Sequence, residues 1–193
     1  MYIPKHFAIN DSAEIDRFIT ENGFGELISS VNGALFATHL PLLYSPAKRL
    51  LRGHIARANP QWQELAGQRV LVILSGAHGY ISPSWYSDPG VPTWNYQAVH
   101  LTGIATFTDD PSSLHEIVTG LTAQYEARLP APWTPDYDAA KLRGIIGIEI
   151  AIENIECKYK LSQNRSAIEQ ARATEELRRA GNRALADAMG RVQ

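Results

Sequence analysis

Polar residues interrupt strand-like runs at three places in this chain, and their types suit the binding of a phosphorylated, planar ligand. In "ATHLP" they are Thr38 and His39; in "GHIARANP" they are His54, Arg57 and Asn59, just before Pro60 opens a helix. In "KYKLSQNRS" they are Lys158, Lys160, Ser162, Gln163, Asn164 and Arg165. Guanidinium and ammonium groups with a helix N-terminus can neutralise a phosphate, and side-chain amides match the edge of a heteroaromatic ring. Plainer readings stay open beside these. Arg57 also reads as a solvated charge at a strand end, Lys158 and Lys160 as charges that keep an edge strand soluble, and "SQNR" as a turn and cap before a terminal helix. A fourth stretch, "SPSWYSDPGVPTWNYQAVH" over residues 82 to 100, carries two tryptophans, two tyrosines and three prolines. Its Trp85 and Trp94 read either as core and interface residues or as the walls of a site.

Other chemistries lack their signals. The chain has no Gly-x-Gly-x-x-Gly, no P-loop, no His-Glu-x-x-His and no nucleophile elbow, which removes the usual marks of Rossmann oxidoreductases, P-loop NTPases, zincins and α/β-hydrolases. Its six histidines are scattered without metal-ligand spacing. A single cysteine, Cys157, excludes an intramolecular disulfide and a Cys-rich zinc site, and reads as a small buried apolar residue. With 45% hydrophobic and 20% charged residues the composition is that of a globular protein, and a formal charge of -2 gives no basic excess for nucleic acid or acidic membrane. "MYIPKHFAIN" has no apolar signal region and no apolar run approaches a membrane span, so a soluble, cytoplasmic protein is expected.

The elements that must position these residues are mostly short strands. Asp11 can cap a helix over "SAEIDRFITENG", with Glu14 placed to close a capping box and Gly23 to stop it. Asn32-Gly33 between "ELISSV" and "ALFATHLPLLY" is the strongest short hairpin signal. "SPAKR" predicts a second turn, "LLRGHIARA" a third strand and "NPQWQELAGQ" a short helix. "RVLVILSG" is continuously apolar and predicts a strand buried on both faces at the centre of the sheet. Strand character resumes at "AVHLTGIATFT". A helix follows, with Asp109 or Asp110 as cap and Leu114, Ile117, Val118, Leu121 and Tyr125 on its apolar face. "PAPWTPDYD" predicts a rigid loop, "GIIGIEIAIENIECKYKL" a long final strand, and the Ala-, Arg- and Glu-rich segment from Ser166 a helix broken at Gly181-Asn182. Six or seven strands joined by short turns favour an antiparallel barrel or sandwich.

Taken in order and spacing, "MYIPKHF", "GHIARANPQW", "YISPSWY" with "VPTWNYQAVH", and "KYKLSQNRS" resemble the PaiB-like family of FMN-binding negative transcriptional regulators. The resemblance covers about residues 1 to 166. It implies a mainly β fold, the antiparallel Greek-key split barrel typified by pyridoxamine 5'-phosphate oxidase, over residues 1 to 165, with small flanking helices and a C-terminal helical extension over 166 to 193. It further implies a homodimer with FMN sites between subunits. By the same resemblance, Arg57 sits where split barrels hold the flavin phosphate, with His54 and Asn59 beside it, and Thr38 and His39 lie under the isoalloxazine ring. Lys160, Gln163 and Arg165 reach the cofactor from the terminal strand end, and Trp94, Asn95 and Tyr96 form a loop covering it from the partner chain. The oxidase's neighbouring Arg-Lys phosphate pair is here Arg57-Ala58, so phosphate charge needs support from elsewhere. The family's regulatory role is then expected to be indirect, since the chain shows no helix-turn-helix. A flavin-dependent oxidoreductase of a small planar substrate, with His39, His54 or His100 as proton donor, is the alternative; haem, which the superfamily also binds, is a third.

Overall fold

At Asn32 and Gly33 the backbone takes φ of 51° and 74°, the positive pair that a two-residue hairpin turn requires and that Gly adopts without steric cost. The turn folds β1 (Phe24–Val31) back on β2 (Ala34–Ser45) in antiparallel register, Val31 opposite Ala34. The coordinates are a computed structural model that describes residues 1–87, 89–137 and 139–191, with backbone alone for Ala139 and Ala140. Asp88 of the aromatic stretch and Val192 and Gln193 of the expected C-terminal extension lie outside the described residues. After a turn through Pro46–Arg49 come β3 (Leu50–Ala56), β4 (Arg69–Ile81), β5 (Thr93–Thr108) and β6 (Ile145–Lys160). These six strands close into a barrel in the order β1-β2-β3-β6-β5-β4. Among the described residues no helix is long and apolar enough to cross a membrane.

Two compact units divide the chain. The barrel unit comprises Ile19–Leu74 and His100–Ile155, and the terminal unit Met1–Phe18, Ser75–Val99 and Glu156–Gln193. In the barrel unit burial alternates along the strands: Leu51, Gly53 and Ile55 of β3 point inward and Arg52, His54 and Ala56 outward. β4 follows the same rule, which corrects the expectation of a strand buried on both faces. Val70, Val72 and Leu74 are buried, whereas Leu71 and Ile73 are only partly covered; a closed barrel has no central strand, and the apolar run supplies one wall of it. Helix α2 (Pro111–Glu126) is capped by Asp110, whose carboxylate accepts from Ser113 N at 2.8 Å, and buries Leu114, Ile117, Val118 and Leu121. A short helix α3 (Ala139–Leu142) leads into β6.

Gln61 pins the first hairpin from the side. It lies in a 3-10 turn, Pro60–Glu64, whose cap is Asn59. Fully buried, it donates from Nε2 to Leu27 O at 3.1 Å, Ser29 Oγ at 2.8 Å and Phe36 O at 3.4 Å. Both strands of the hairpin are held by one amide.

In the terminal unit the chain start bridges β6, with Ile9 N donating to Cys157 O at 3.1 Å. Helix α1 (Ser12–Glu21) is capped by Asp11, which accepts from Ala13 N at 3.0 Å. Glu14, expected to close a capping box, turns instead to Arg17 at 2.6 and 2.8 Å and to the Tyr159 hydroxyl at 2.7 Å. A charge-assisted partner outcompetes a backbone N–H for the carboxylate. Burial pushes the Cys157 thiol up to about 12, which leaves it inert as a nucleophile. Helices α4 (Ala167–Arg179) and α5 (Arg183–Gly190) meet at Gly181, φ 82°, and bury Leu177, Leu185 and Met189.

Two outcomes test these contacts. Gln61→Leu removes the shared donor from buried acceptors and is expected to lower stability by about 1–3 kcal/mol, read as a shift in the urea midpoint. Glu14 is held below the usual carboxylate range by the hydrogen bond from Arg17, opposed by burial and helped by Tyr159. A folded value lowered in this way contributes stability that is complete above the unfolded value near pH 4.5 and is lost as pH falls through the lower folded one. Urea midpoints measured from pH 6 down to 3 should therefore fall more steeply in the natural chain than in Glu14→Gln.

Candidate functional site

The expected site residues fall into two sets, one in each unit. In the barrel unit Thr38 and Asn59 do meet: Asn59 Nδ2 donates to Thr38 Oγ1 at 2.9 Å, while Asn59 Oδ1 accepts from Gln61 N at 3.0 Å. His39 points the other way, as the next residue of a strand must. It is exposed, stacks on Phe24 with ring centroids 6.4 Å apart, and sits 3.5 Å from Glu26 Oε1. Arg57 is half-exposed and held by carbonyls, donating to Arg143 O at 2.8 Å and Ile145 O at 3.4 Å; its Nη1 lies 3.8 Å from Asp109.

His54 occupies the outer wall of the barrel, paired across β3 and β6 with Gly147. Its Nδ1 is buried without a hydrogen-bond partner, and burial lowers its pKa, which keeps the ring neutral near pH 7. The ring borders a cavity of about 530 Å³ lined also by Pro41, Leu121, Tyr125, Trp133, Tyr137, Lys141 and Ile145. Tyr125, whose buried hydroxyl also has no partner, is another of its lining residues. Trp133 and Tyr137 meet edge to face at 5.9 Å, and Tyr137 is fixed through its hydroxyl to Thr122 Oγ1. An apolar chamber with a few unspent polar atoms is the usual form of a small-molecule site. Sequence reasoning missed Tyr125, Trp133, Tyr137 and Lys141 as site residues. The signal was there in "PAPWTPDY", where two aromatics stand among three prolines as they do in the stretch that was singled out.

The terminal unit holds the other set. Trp94, Asn95 and Tyr96 lie on β5, which begins at Thr93, so the expected covering loop is a strand. The aromatic side chains favour extended backbone once Pro92 is passed, and alternation sends Asn95 to the face opposite Trp94 and Tyr96. Trp94 is exposed beside His78 and Tyr80, at 6.4 and 6.5 Å between centroids. Tyr96 lies under the Lys158 ammonium at 5.1 Å. Asn95 is fully buried, donating from Nδ2 to Ser162 Oγ at 2.9 Å.

At the end of β6 the polar residues divide by role. Gln163 spends both ends of its amide on the backbone, accepting from Leu161 N at 2.7 Å and donating to Tyr159 O at 2.6 Å. It clasps the turn in which Ser162 takes φ of 67°. Lys160 donates to Thr93 Oγ1 and Trp94 O, each at 2.6 Å, and burial lowers its pKa, with Lys158 adding to the effect. Arg165 lies 4.7 Å over the Tyr86 ring and donates to Pro89 O at 3.3 Å. Lys160, Asn95 and Arg165 thus share one pocket, of about 180 Å³, whereas Trp94, Tyr96 and Gln163 do not line it.

Comparison with known proteins gives this arrangement a family. Residues 1–154 match the family described as "Putative FMN-binding domain". Over 190 residues the chain is 40% identical to the protease synthase and sporulation protein PAI 2 of Bacillus subtilis, spanning 94% of this chain and 91% of that protein. The flavocytochrome Anf3 of Azotobacter vinelandii superimposes with a TM-score of 0.64 at 17% identity, over 82% of this chain and 72% of its own. The FAD and heme binding protein of Mycobacterium smegmatis gives 0.60 at 16% identity, over 84% and 77%. At such identities the structural likeness carries the fold, an antiparallel split barrel. The match over residues 1–154 and the close kinship with PAI 2 make this chain a member of the FMN-binding domain family, an FMN-binding protein of the PAI 2 type.

Proposed function

We propose that the barrel unit holds FMN, with the outer-wall cavity as the slot for its ring system, and that the protein works as a homodimeric regulator. The observation that carries this reading is the cavity itself: about 530 Å³, mainly aromatic and aliphatic in its walls, with His54 and Tyr125, each of which has a buried polar atom without a partner, among its lining residues. Its size is within the range of cofactor pockets, and unpaired buried polar atoms are costly unless a ligand meets them. At the phosphate end the reading uses Arg57, whose guanidinium is steadied by the carbonyl of Ile145, a residue that itself lines the cavity. Asn59 and Thr38, joined by their hydrogen bond, and the 3-10 turn that Asn59 caps are the neutral donors beside it. When bound, flavin supplies one- and two-electron redox chemistry; these residues bind, orient and shield it.

A regulatory role follows the relative, whose name ties it to protease synthesis and sporulation. Indirect action is supported by charge. Arg172, Arg178 and Arg179 of α4 are paired with Glu169, Asp187, Glu175 and Glu176, so they offer little free cation to a phosphate backbone. One observation favours the enzymatic alternative: His54 is half-buried, held neutral, and has a buried Nδ1 that is unspent, the state of a general base. Bleaching of the bound flavin by a reduced nicotinamide cofactor would support that version.

Flavin absorbance and fluorescence titration test the site. Trp133→Ala is expected to weaken FMN binding by about 1–2 kcal/mol, the worth of an aromatic wall. Arg57→Ala should weaken it by about 1.5–3 kcal/mol, the scale of a hydrogen bond to a charged group. Unchanged affinity in both would remove the flavin from this cavity. For the dimer, light scattering of the natural chain should give twice the chain mass, and Trp94→Glu, which charges the exposed aromatic patch with His78 and Tyr80, should shift it toward monomer.

A further inference from the structure

The small pocket of the terminal unit has a composition that the flavin reading does not use. Its volume, about 180 Å³, equals roughly six water molecules and falls below the roughly 300 Å³ at which drug-sized ligands begin to be housed. Phe7 and Tyr86 give it apolar walls, and Lys160 and Arg165 bring two cations to it; among the described residues that line it there is no carboxylate.

Both cations are held in place yet keep donors to spare. Lys160 gives two N–H groups to neutral oxygens, Thr93 Oγ1 and Trp94 O, and has a third. The Arg165 guanidinium lies over the Tyr86 ring and gives one bond to Pro89 O, which leaves most of its five N–H groups unspent. Among the described residues the two fixed positive charges are thus met by neutral acceptors alone, an arrangement that an anion completes. Asn95 adds the second requirement. It is fully buried, its Nδ2 is spent on Ser162, and its Oδ1 has no partner. A buried acceptor in this state calls for a donor.

We propose that the terminal unit carries a second ligand site, for a small organic anion whose carboxylate or phosphate meets Lys160 and Arg165 and whose hydroxyl or amine donates to Asn95. Short hydroxy acids and amino acids have this form. The site is independent of where the flavin is held, and its two-ended demand gives it selectivity: the anionic end provides most of the attraction, and the donor end separates a hydroxy acid from the plain acid of the same length.

Calorimetric titration of the purified full chain with three probes, glycolate, acetate and inorganic phosphate, tests it, with FMN titrated in parallel. Saturable glycolate binding at least fivefold tighter than acetate is expected, with phosphate reporting the anionic subsite alone. Lys160→Gln and Arg165→Gln should each cut glycolate and phosphate affinity tenfold or more. Asn95→Leu should erase the preference for glycolate over acetate. Arg165→Gln, a change at a partly exposed position, keeps the test valid if the buried Asn95 variant does not fold. Absence of saturable binding by all three probes would overturn the proposal. So would binding that ignores both cation variants, or a loss of FMN affinity in those variants without small-anion binding, which would assign the pocket to the flavin instead.

Discussion

Closing six strands on themselves commits every strand to point alternate side chains into one shared interior, and the placement of chemistry in the barrel unit depends on that commitment. The interior is taken by aliphatic side chains such as Leu27, Val72, Leu101 and Ile148, all with no accessible surface. Burying each contributes on the order of 1.5–3 kcal/mol. The strands are drawn together closely enough that a Cβ on Gly103 of β5 would stand 2.1 Å from Ala151 O of β6. An interior so filled has no room for a cofactor. Ligand space in this unit must lie outside the wall, and it does: Pro41 and His54 are outward residues of β2 and β3, and α2 with the segment after it supplies the facing side.

The same alternation sorts residues that stand together in sequence. Thr38 and His39 cannot serve one ligand face, and the structure turns Thr38 toward Asn59 and His39 toward Phe24 and Glu26. Trp94, Asn95 and Tyr96 are separated likewise into an exposed ring, a buried amide and a ring beneath Lys158. Polar spacing of one residue in a strand therefore describes two environments. Two apart, as Lys158 and Lys160 are, leaves residues on one face, and there burial and mutual repulsion act together on Lys160.

How much of this was legible before the fold depended on whether the signal was local. Asn32-Gly33, the Asp110 cap and the apolar face of α2 were readable because turn geometry and capping are decided within a few residues. The strand at Trp94 was not, because three prolines drew the reading toward a loop, although Pro92 is the last of them and "TWNYQAVHL" already alternates. His54 and Asn59 stood out as polar residues where burial was expected. Tyr125 and Trp133 did not, since their value comes from meeting β3 across more than seventy residues of chain. Gln163 illustrates the opposite error. An amide beside two cations resembles a ligand contact, and only the fold reveals that both its ends are consumed by the turn at Ser162.

The aromatic stretch now has a physical account that does not rest on packing alone. Its central part is tied from α4, where the buried carboxylate of Glu169 accepts from Ser87 N at 3.0 and 3.2 Å. Tyr86 is fixed from two sides, its hydroxyl 3.2 Å from Ser162 Oγ and its face under Arg165. The carboxylate's charge is met by Arg172 at 3.7 Å, and its bonds to Ser87 N keep the segment in one conformation. The prolines work in the same direction, since they lower the entropy that ordering the segment would lose. Rigidity is thus built from both ends: in the sequence by Pro83, Pro89 and Pro92, and in the fold by Glu169 and Ser162. That investment falls on Tyr86, one wall of the small cationic pocket, which is where a binding surface gains most from being fixed before its ligand arrives.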